Sequence, residues 1–159
     1  MAIDIGAEAK DRGNYVVNNR TIINKDNPAN ASGTITSVEI WADTNLEGCR
    51  VGTFYTTNGN TLRCRDSEAI AGTITAGSKV TKAVTIAVEI GDYIGMYAFT
   101  GYIERDTSGY GGIWWVAGEY IDPSDETSYS LSTGDAISLY GTGEEAAAAF
   151  VGSRGFIIG

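Results

Sequence analysis

Asp43, Asn45 and Glu47 alternate along a short polar stretch that ends in Gly48. That spacing matches positions 1, 3, 5 and 6 of an EF-hand calcium loop, where alternate oxygen-bearing side chains wrap a hard cation and the glycine permits a sharp turn. Position 12 of such a loop requires a bidentate Glu and is Phe54 here, and the stretch follows a strand pattern instead of a helix. The expectation is therefore a polar hairpin loop with an incomplete ligand set at Asp43, Asn45 and Glu47, and no cofactor. Asp122, Asp125 and Glu126 form a second acidic loop beside Pro123, solvated by default. Paired carboxylates for hydrolysis must face each other across a cleft at about 5 to 9 Å. Glu39, Glu89, Glu104 and Glu119 lie within or beside predicted strands and are the acids to inspect, although acids on the outer face of a sheet account for them equally well. Histidine is absent, which removes the side chain most used for proton transfer near neutral pH. There is no Gly-x-Ser-x-Gly elbow, and Gly109-Tyr110-Gly111-Gly112 lacks the following helix that would make it a phosphate cradle. No catalytic residue is expected, and the chain is not expected to be an enzyme.

The aromatics carry more positional information. Tyr93, Tyr97, Phe99, Tyr102, Tyr110, Trp114, Trp115 and Tyr120 fall within 28 residues. Adjacent residues of a strand point to opposite faces, so one of Trp114 and Trp115 can be core while the other meets solvent, a sugar or a partner. Trp114, Trp115, Tyr110 and Tyr120 are thus a candidate platform for stacking a carbohydrate or anchoring an interface.

Cys49 and Cys64 flank the strongest hairpin signal in the chain, Asn58-Gly59. With those two residues as the loop, Cys64 faces Thr53 and lies about 13 Å from Cys49 at about 3.3 Å per residue, too far to bridge. Two free thiols are expected.

The elements that would position these residues follow from composition and period. The chain has 159 residues, 21 of them Gly, 17 Thr and 11 Ser, and only 2 Pro. Alternation from Gly33 onward places Val38, Ile40 and Ala42 on one face and Ser37, Glu39 and Trp41 on the other. Strands are expected near 49–56, 60–66, 69–75, 79–88, 93–99, 112–117, 127–131 and 136–140. Turns are expected at Asn58-Gly59, Ala76-Gly77, Gly91-Asp92, Ser108-Gly109, Asp122-Pro123 and Gly134-Asp135. The fold class is all-β: an antiparallel β-sandwich, jelly-roll-like, of about 8–10 strands, with a short C-terminal helix and extended termini. Residues 1–30 read as an N-terminal arm and polar loop, 31–141 as the sandwich domain, and 142–159 as a short helix from Glu144 to Val151 followed by an apolar tail. Ile3, Ile5, Phe150, Phe156, Ile157 and Ile158 are the expected interface residues of these flanks.

Eleven basic against 20 acidic residues give a net charge of −9, the wrong sign for a nucleic-acid backbone or an anionic membrane. No apolar run approaches the length of a membrane helix. The start lacks a signal-peptide pattern, so synthesis in a cytoplasm is expected. The region from Asn27 to Gly141, with Gly91-Asp92-Tyr93-Ile94-Gly95-Met96-Tyr97 and Asp135-Ala136-Ile137-Ser138-Leu139-Tyr140-Gly141 leading into strands, resembles jelly-roll or sandwich proteins of bacteriophage particles. That resemblance implies a virion surface component of the capsid decoration, head-fibre or tail-associated kind. Its expected partners are copies of itself and a capsid or tail protein. Two alternatives remain open: a carbohydrate-binding module that takes glycans on its exposed Trp and Tyr, and an extracellular filament subunit joined by strand donation through Ile3 and Ile5 or the C-terminal tail.

Overall fold

The computed structural model describes residues 2–147, which form twelve strands. They are β1 (Ala2–Gly6), β2 (Asn14–Val16), β3 (Arg20–Asn24), β4 (Gly33–Trp41), β5 (Arg50–Asn58), β6 (Thr61–Ala69), β7 (Lys79–Val88), β8 (Tyr93–Tyr97), β9 (Ile103–Ala117), β10 (Glu126–Ser128), β11 (Ser130–Ile137) and β12 (Leu139–Glu145). One sheet has the order β1-β12-β4-β7, the other β10-β6-β5-β8-β3-β9-β11 with β2 paired to β9. Neighbouring strands are antiparallel, and the two sheets make an all-β sandwich.

Strand period explains which side chains go inside. In β4, Val38 and Ile40 point inward as the alternation requires, yet Ile35 is also fully buried at an odd spacing. A register shift between Ile35 and Ser37 against β7 absorbs the extra residue and returns Ile35 to the core face. Ile3, Ile5, Val38, Ile40, Ile86 and Leu139 from the smaller sheet meet Ile22, Val51, Ile94, Met96 and Ile113 from the larger in one cluster. Each fully buried aliphatic of this kind contributes about 1.5–3 kcal/mol. The larger sheet also buries part of its outer face. Ile23, Phe54, Leu62, Cys64, Tyr97 and Trp114 lie beneath Ile121 and Tyr129 of the connection between β9 and β11.

The structure corrects several expectations. The β5–β6 turn is Gly59-Asn60, with Asn58 opposite Thr61, and Cys64 faces Phe54, not Thr53. The displaced turn and the register shift between Thr56 and Asn58 together cause the change, and a further shift follows between Phe54 and Thr53. Asn60 is held in the turn because its side-chain oxygen accepts from Trp114 Nε1 at 2.9 Å while its carbonyl accepts from Tyr129 N at 2.9 Å. Both cysteines are free and buried, as expected. Ser108-Gly109 and Gly134-Asp135 do not end strands but lie within β9 and β11, whose pairing shifts register there. Glycines with positive φ, Gly109 at 94° and Gly134 at 88°, mark irregularities in continuous strands as readily as turns. Of the stretch 69–75, Ala69 ends β6 and Ile74 makes an isolated bridge with Leu46.

The flanks also differ from expectation. Residues 1–30 are not an arm outside the sandwich, because β3 sits between β8 and β9 and β1 completes the smaller sheet. Glu144 and Glu145 close β12 against Thr34 and Gly33, so no helix begins there. Pairing with β4 outweighs the helical propensity of an acid-then-alanine run about two turns long. The rest of that expected helix from residue 148, and the interface candidates Phe150, Phe156, Ile157 and Ile158, lie outside the described residues. Ile3 and Ile5 are fully buried in the chain's own core. The outer edge of β1 is covered by the loop after β3. Asp4 N donates to Asn30 Oδ1 at 3.0 Å, Gly6 N donates to Asn27 O at 3.0 Å, and Asn30 Nδ2 returns a bond to Ala2 O at 3.2 Å. Amide side chains thus satisfy an edge that would otherwise invite another strand.

Candidate binding surface

A buried arginine positions the end of the molecule where the exposed aromatics gather. The segment between β1 and β2 has no strand pairing of its own, so its backbone must be held by side chains. Arg12 does this from a fully buried position. Its Nε donates to Ser138 Oγ at 2.7 Å, Nη1 to Asp106 Oδ2 at 2.6 Å and Nη2 to Glu8 O at 2.6 Å. Its guanidinium also stands 5.0 Å from the Tyr110 ring centroid, and its hydrogen bond to Tyr110 is the main cause lowering that phenol's pKa. The Arg12 amide donates to Glu104 Oε1 at 2.7 Å. Two residues further on, β2 pairs Tyr15 with Glu104 and Val16 with Ile103.

This pairing lays the Tyr15 ring on Tyr102, stacked at 4.9 Å between centroids and 13° between planes. Tyr102 is clamped by its backbone. Its N–H donates to Thr44 Oγ1 at 2.8 Å and its carbonyl accepts from Asp43 N at 2.8 Å. Gly101 makes the approach possible, since it has φ +95° and a Cβ there would lie 2.0 Å from Asn45 O. Tyr15 is 47% exposed, and Phe99, three residues before Tyr102 in the chain, is 65% exposed. The tyrosine pair forms a ridge between two depressions. One, of about 560 Å³, is lined by Asn18, Thr44, Asn45, Thr100, Gly101 and Tyr102. The other, of about 310 Å³, is lined by Asn14, Tyr15, Val16, Val17, Arg20 and Arg105.

The sequence-derived platform is divided by the fold. Trp114 and Trp115 do point to opposite faces, but Trp114 is 2% exposed. It packs edge-on against Tyr93 at 4.9 Å beneath the β9–β11 connection and offers no face to a ligand. Trp115 is half-buried, with Arg20 stacked 4.7 Å from its ring centroid and its Nε1 donating to Ser132 Oγ at 3.2 Å. Tyr110 and Tyr120 are half-buried at separate places, Tyr110 against Arg12 and Tyr120 after Gly118. Tyr15 and Phe99 are the exposed aromatics, with the half-buried Tyr102 stacked on Tyr15. Phe99 and Tyr102 fall inside the aromatic-rich window, whereas Tyr15 lies in the irregular N-terminal stretch where no alternation signalled its pairing.

The candidate metal and acid residues are dispersed. Asn45 Oδ1 accepts from Ala76 N at 2.9 Å, while the Glu47 backbone bridges to Thr100. Among the described residues no group of three acidic or thiol side chains converges to hold a metal. Glu39 faces Lys79 at 3.8 Å, Glu119 pairs with Arg50 at 2.9 Å, and Glu89 accepts from Ser32 Oγ at 3.4 Å. Asp122 also pairs with Arg50, and Glu126 with Arg63, so the second acidic loop is spent on ion pairs. Glu119 thus meets Asp122 across a shared arginine, whereas Glu104 meets the carboxyl of Asp43 directly. Burial first, and then the hydrogen bond with Asp43, holds its pKa above the ordinary carboxylate range, while the Arg12 amide pulls it down. Buried against the Arg12 backbone, it stabilises the N-terminal segment and is not open to a substrate. No protein-family model matches this chain, and no curated protein matches it.

Proposed function

We propose that this chain is a non-enzymatic structural module of jelly-roll type that self-associates at the surface of a particle, in the manner of a bacteriophage capsid decoration or a fibre- or tail-associated protein. The particle setting rests on the resemblance of the Asn27–Gly141 region. The association rests on one observation, the stacking of the exposed Tyr15 on the half-buried Tyr102, with Phe99 exposed three residues before Tyr102 in the chain. Aromatic anchors of this kind dominate interface energetics because they bury large areas at low entropic cost. Ile3 and Ile5 serve their own core, which shifts the expected contact from the N-terminal strand to this aromatic end. The test is sedimentation equilibrium of the full chain and of a Tyr15→Ser/Phe99→Ser variant. The expected result is a wild-type oligomer and a variant displaced towards monomer with unchanged circular dichroism. A monomeric wild type, or an equally oligomeric variant, overturns the reading.

A second reading is a carbohydrate-binding module at the same end. It is favoured by the amides and hydroxyls of Asn18, Thr44, Asn45 and Thr100 around the Tyr102 depression. Sugars are held by this combination of an aromatic face and directional polar groups.

A further inference from the structure

The arginines of this acidic chain are almost all neutralised. Among the described residues, Arg12 holds Asp106, Arg50 holds Glu119 and Asp122, Arg63 holds Glu126, Arg65 holds Asp92 and Arg105 holds Asp135. Arg20 holds no carboxylate among them. Its guanidinium lies over the Trp115 ring instead, an arrangement that fixes the plane of the fork and leaves its donors free of protein acceptors. Arg20 lines the 310 Å³ groove together with Arg105. Arg105 uses Nη1 on Asp135 at 3.2 Å, and its buried Nε has no hydrogen-bond partner. A buried donor left without a partner costs about 1–3 kcal/mol. Tyr15 and Asn14 line the same groove.

We infer that the groove between β2 and the start of β3 is a subsite for the carboxylate of an acidic saccharide, with Arg20 as the principal anion ligand, Arg105 as the supporting one and Tyr15 as the face against which the sugar ring packs. A guanidinium pairs with a carboxylate through two parallel charge-assisted bonds, and Arg20, which holds no carboxylate among the described residues, has such an edge to offer in a chain of net charge −9. The inference rests on the carbohydrate reading, and because it uses Tyr15, the residue that also anchors the proposed self-association, a sugar held here competes with that contact.

The test is calorimetric titration of the full chain with trigalacturonate, with its uncharged methyl ester and with acetate. The acid should bind at least about tenfold more tightly than the ester, lose that advantage at high salt, and change tryptophan fluorescence through Trp115. Arg20→Gln, whose side chain is not part of the core, should reduce the acid to the affinity of the ester with the fold unchanged by circular dichroism. Tyr15→Ser should weaken acid and ester together. Arg105→Gln is the poorer variant, because it leaves the buried Asp135 unpaired. Equal binding of acid and ester overturns the subsite and leaves the carbohydrate reading standing. Binding of neither sugar overturns both. Acetate binding as well as trigalacturonate overturns the saccharide class, and an acid preference untouched by Arg20→Gln places the anion elsewhere and overturns the assignment.

Discussion

Replacing Arg12 by Met should loosen the end of the molecule that carries Tyr15. The side chain is fully buried and makes three hydrogen bonds of 2.6–2.7 Å, to Ser138, Asp106 and Glu8. Summing three bonds to a charged group at about 1.5–3 kcal/mol each would overstate the loss. Asp106 is 31% exposed in its side chain and can regain water, and Ser138 Oγ keeps its own bond to Lys10 O at 2.6 Å. Met also retains much of the packing against Tyr110. The Glu8 carbonyl and the lost ion pair then dominate, giving about 3 kcal/mol. For a domain of this size that corresponds to a fall in Tm of about 6–12 °C. Arg12→Lys should lose nearly as much, since a single ammonium cannot reproduce the fork. Thermal unfolding followed by circular dichroism measures the shift, and native-state hydrogen exchange should show the β2 amides opening first. An Arg12→Met protein as stable as wild type would refute the assignment of Arg12 as the staple of the N-terminal segment.

Three other outcomes follow from the same geometry. Glu104 has its carboxyl pKa raised in the folded chain, so its contribution to stability is complete below the unfolded value of about 4.3 and is lost as pH rises through the folded value. Glu104→Gln, which keeps an acceptor for the Arg12 amide, should therefore unfold with a flatter pH dependence and be at least as stable near neutrality; a steeper decline with rising pH would contradict this. Gly95→Ala should cost about 2–3 kcal/mol by overpacking, because a Cβ there would lie 2.7 Å from Ile23 Cγ1 and 2.8 Å from Ile22 O and Phe54 Cε1, and chemical denaturation would expose the error if the midpoint did not move. Burial pushes the Cys49 and Cys64 thiols up to about 12, so at pH 8 only about one in ten thousand is thiolate. A disulfide exchange reagent should label them at the rate of unfolding, and rapid labelling of the native protein would be inconsistent with that burial.

The fold was more legible in the sequence than the site. Alternation in β4 and β7 reports burial on one face directly, and Val38, Ile40 and Ala42 sit inside as their spacing requires. The period failed where pairing shifts register. Thr53–Phe54 and Thr56–Asn58 each displace the β5–β6 alignment, and neither leaves a mark that Asn58-Gly59 alone could reveal. Glu144 and Glu145 show a tertiary pairing prevailing over local propensity, since β4 was waiting for them. The site was hidden for another reason. Trp114 and Trp115 were conspicuous in type, but exposure depends on a long connection that folds over one of them. Tyr15 and Tyr102 are 87 positions apart, and only the β2–β9 pairing, held by Arg12 and Glu104, brings them together.

Concentration-dependent hydrogen exchange of the full chain tests the association claim most directly, because it reports both whether copies meet and where. As concentration rises, the account predicts added protection confined to Asn14–Asn19, Asp43–Glu47 and Phe99–Tyr102, abolished by Tyr15→Ser/Phe99→Ser. Protection that appears elsewhere, or none at any concentration, would contradict it.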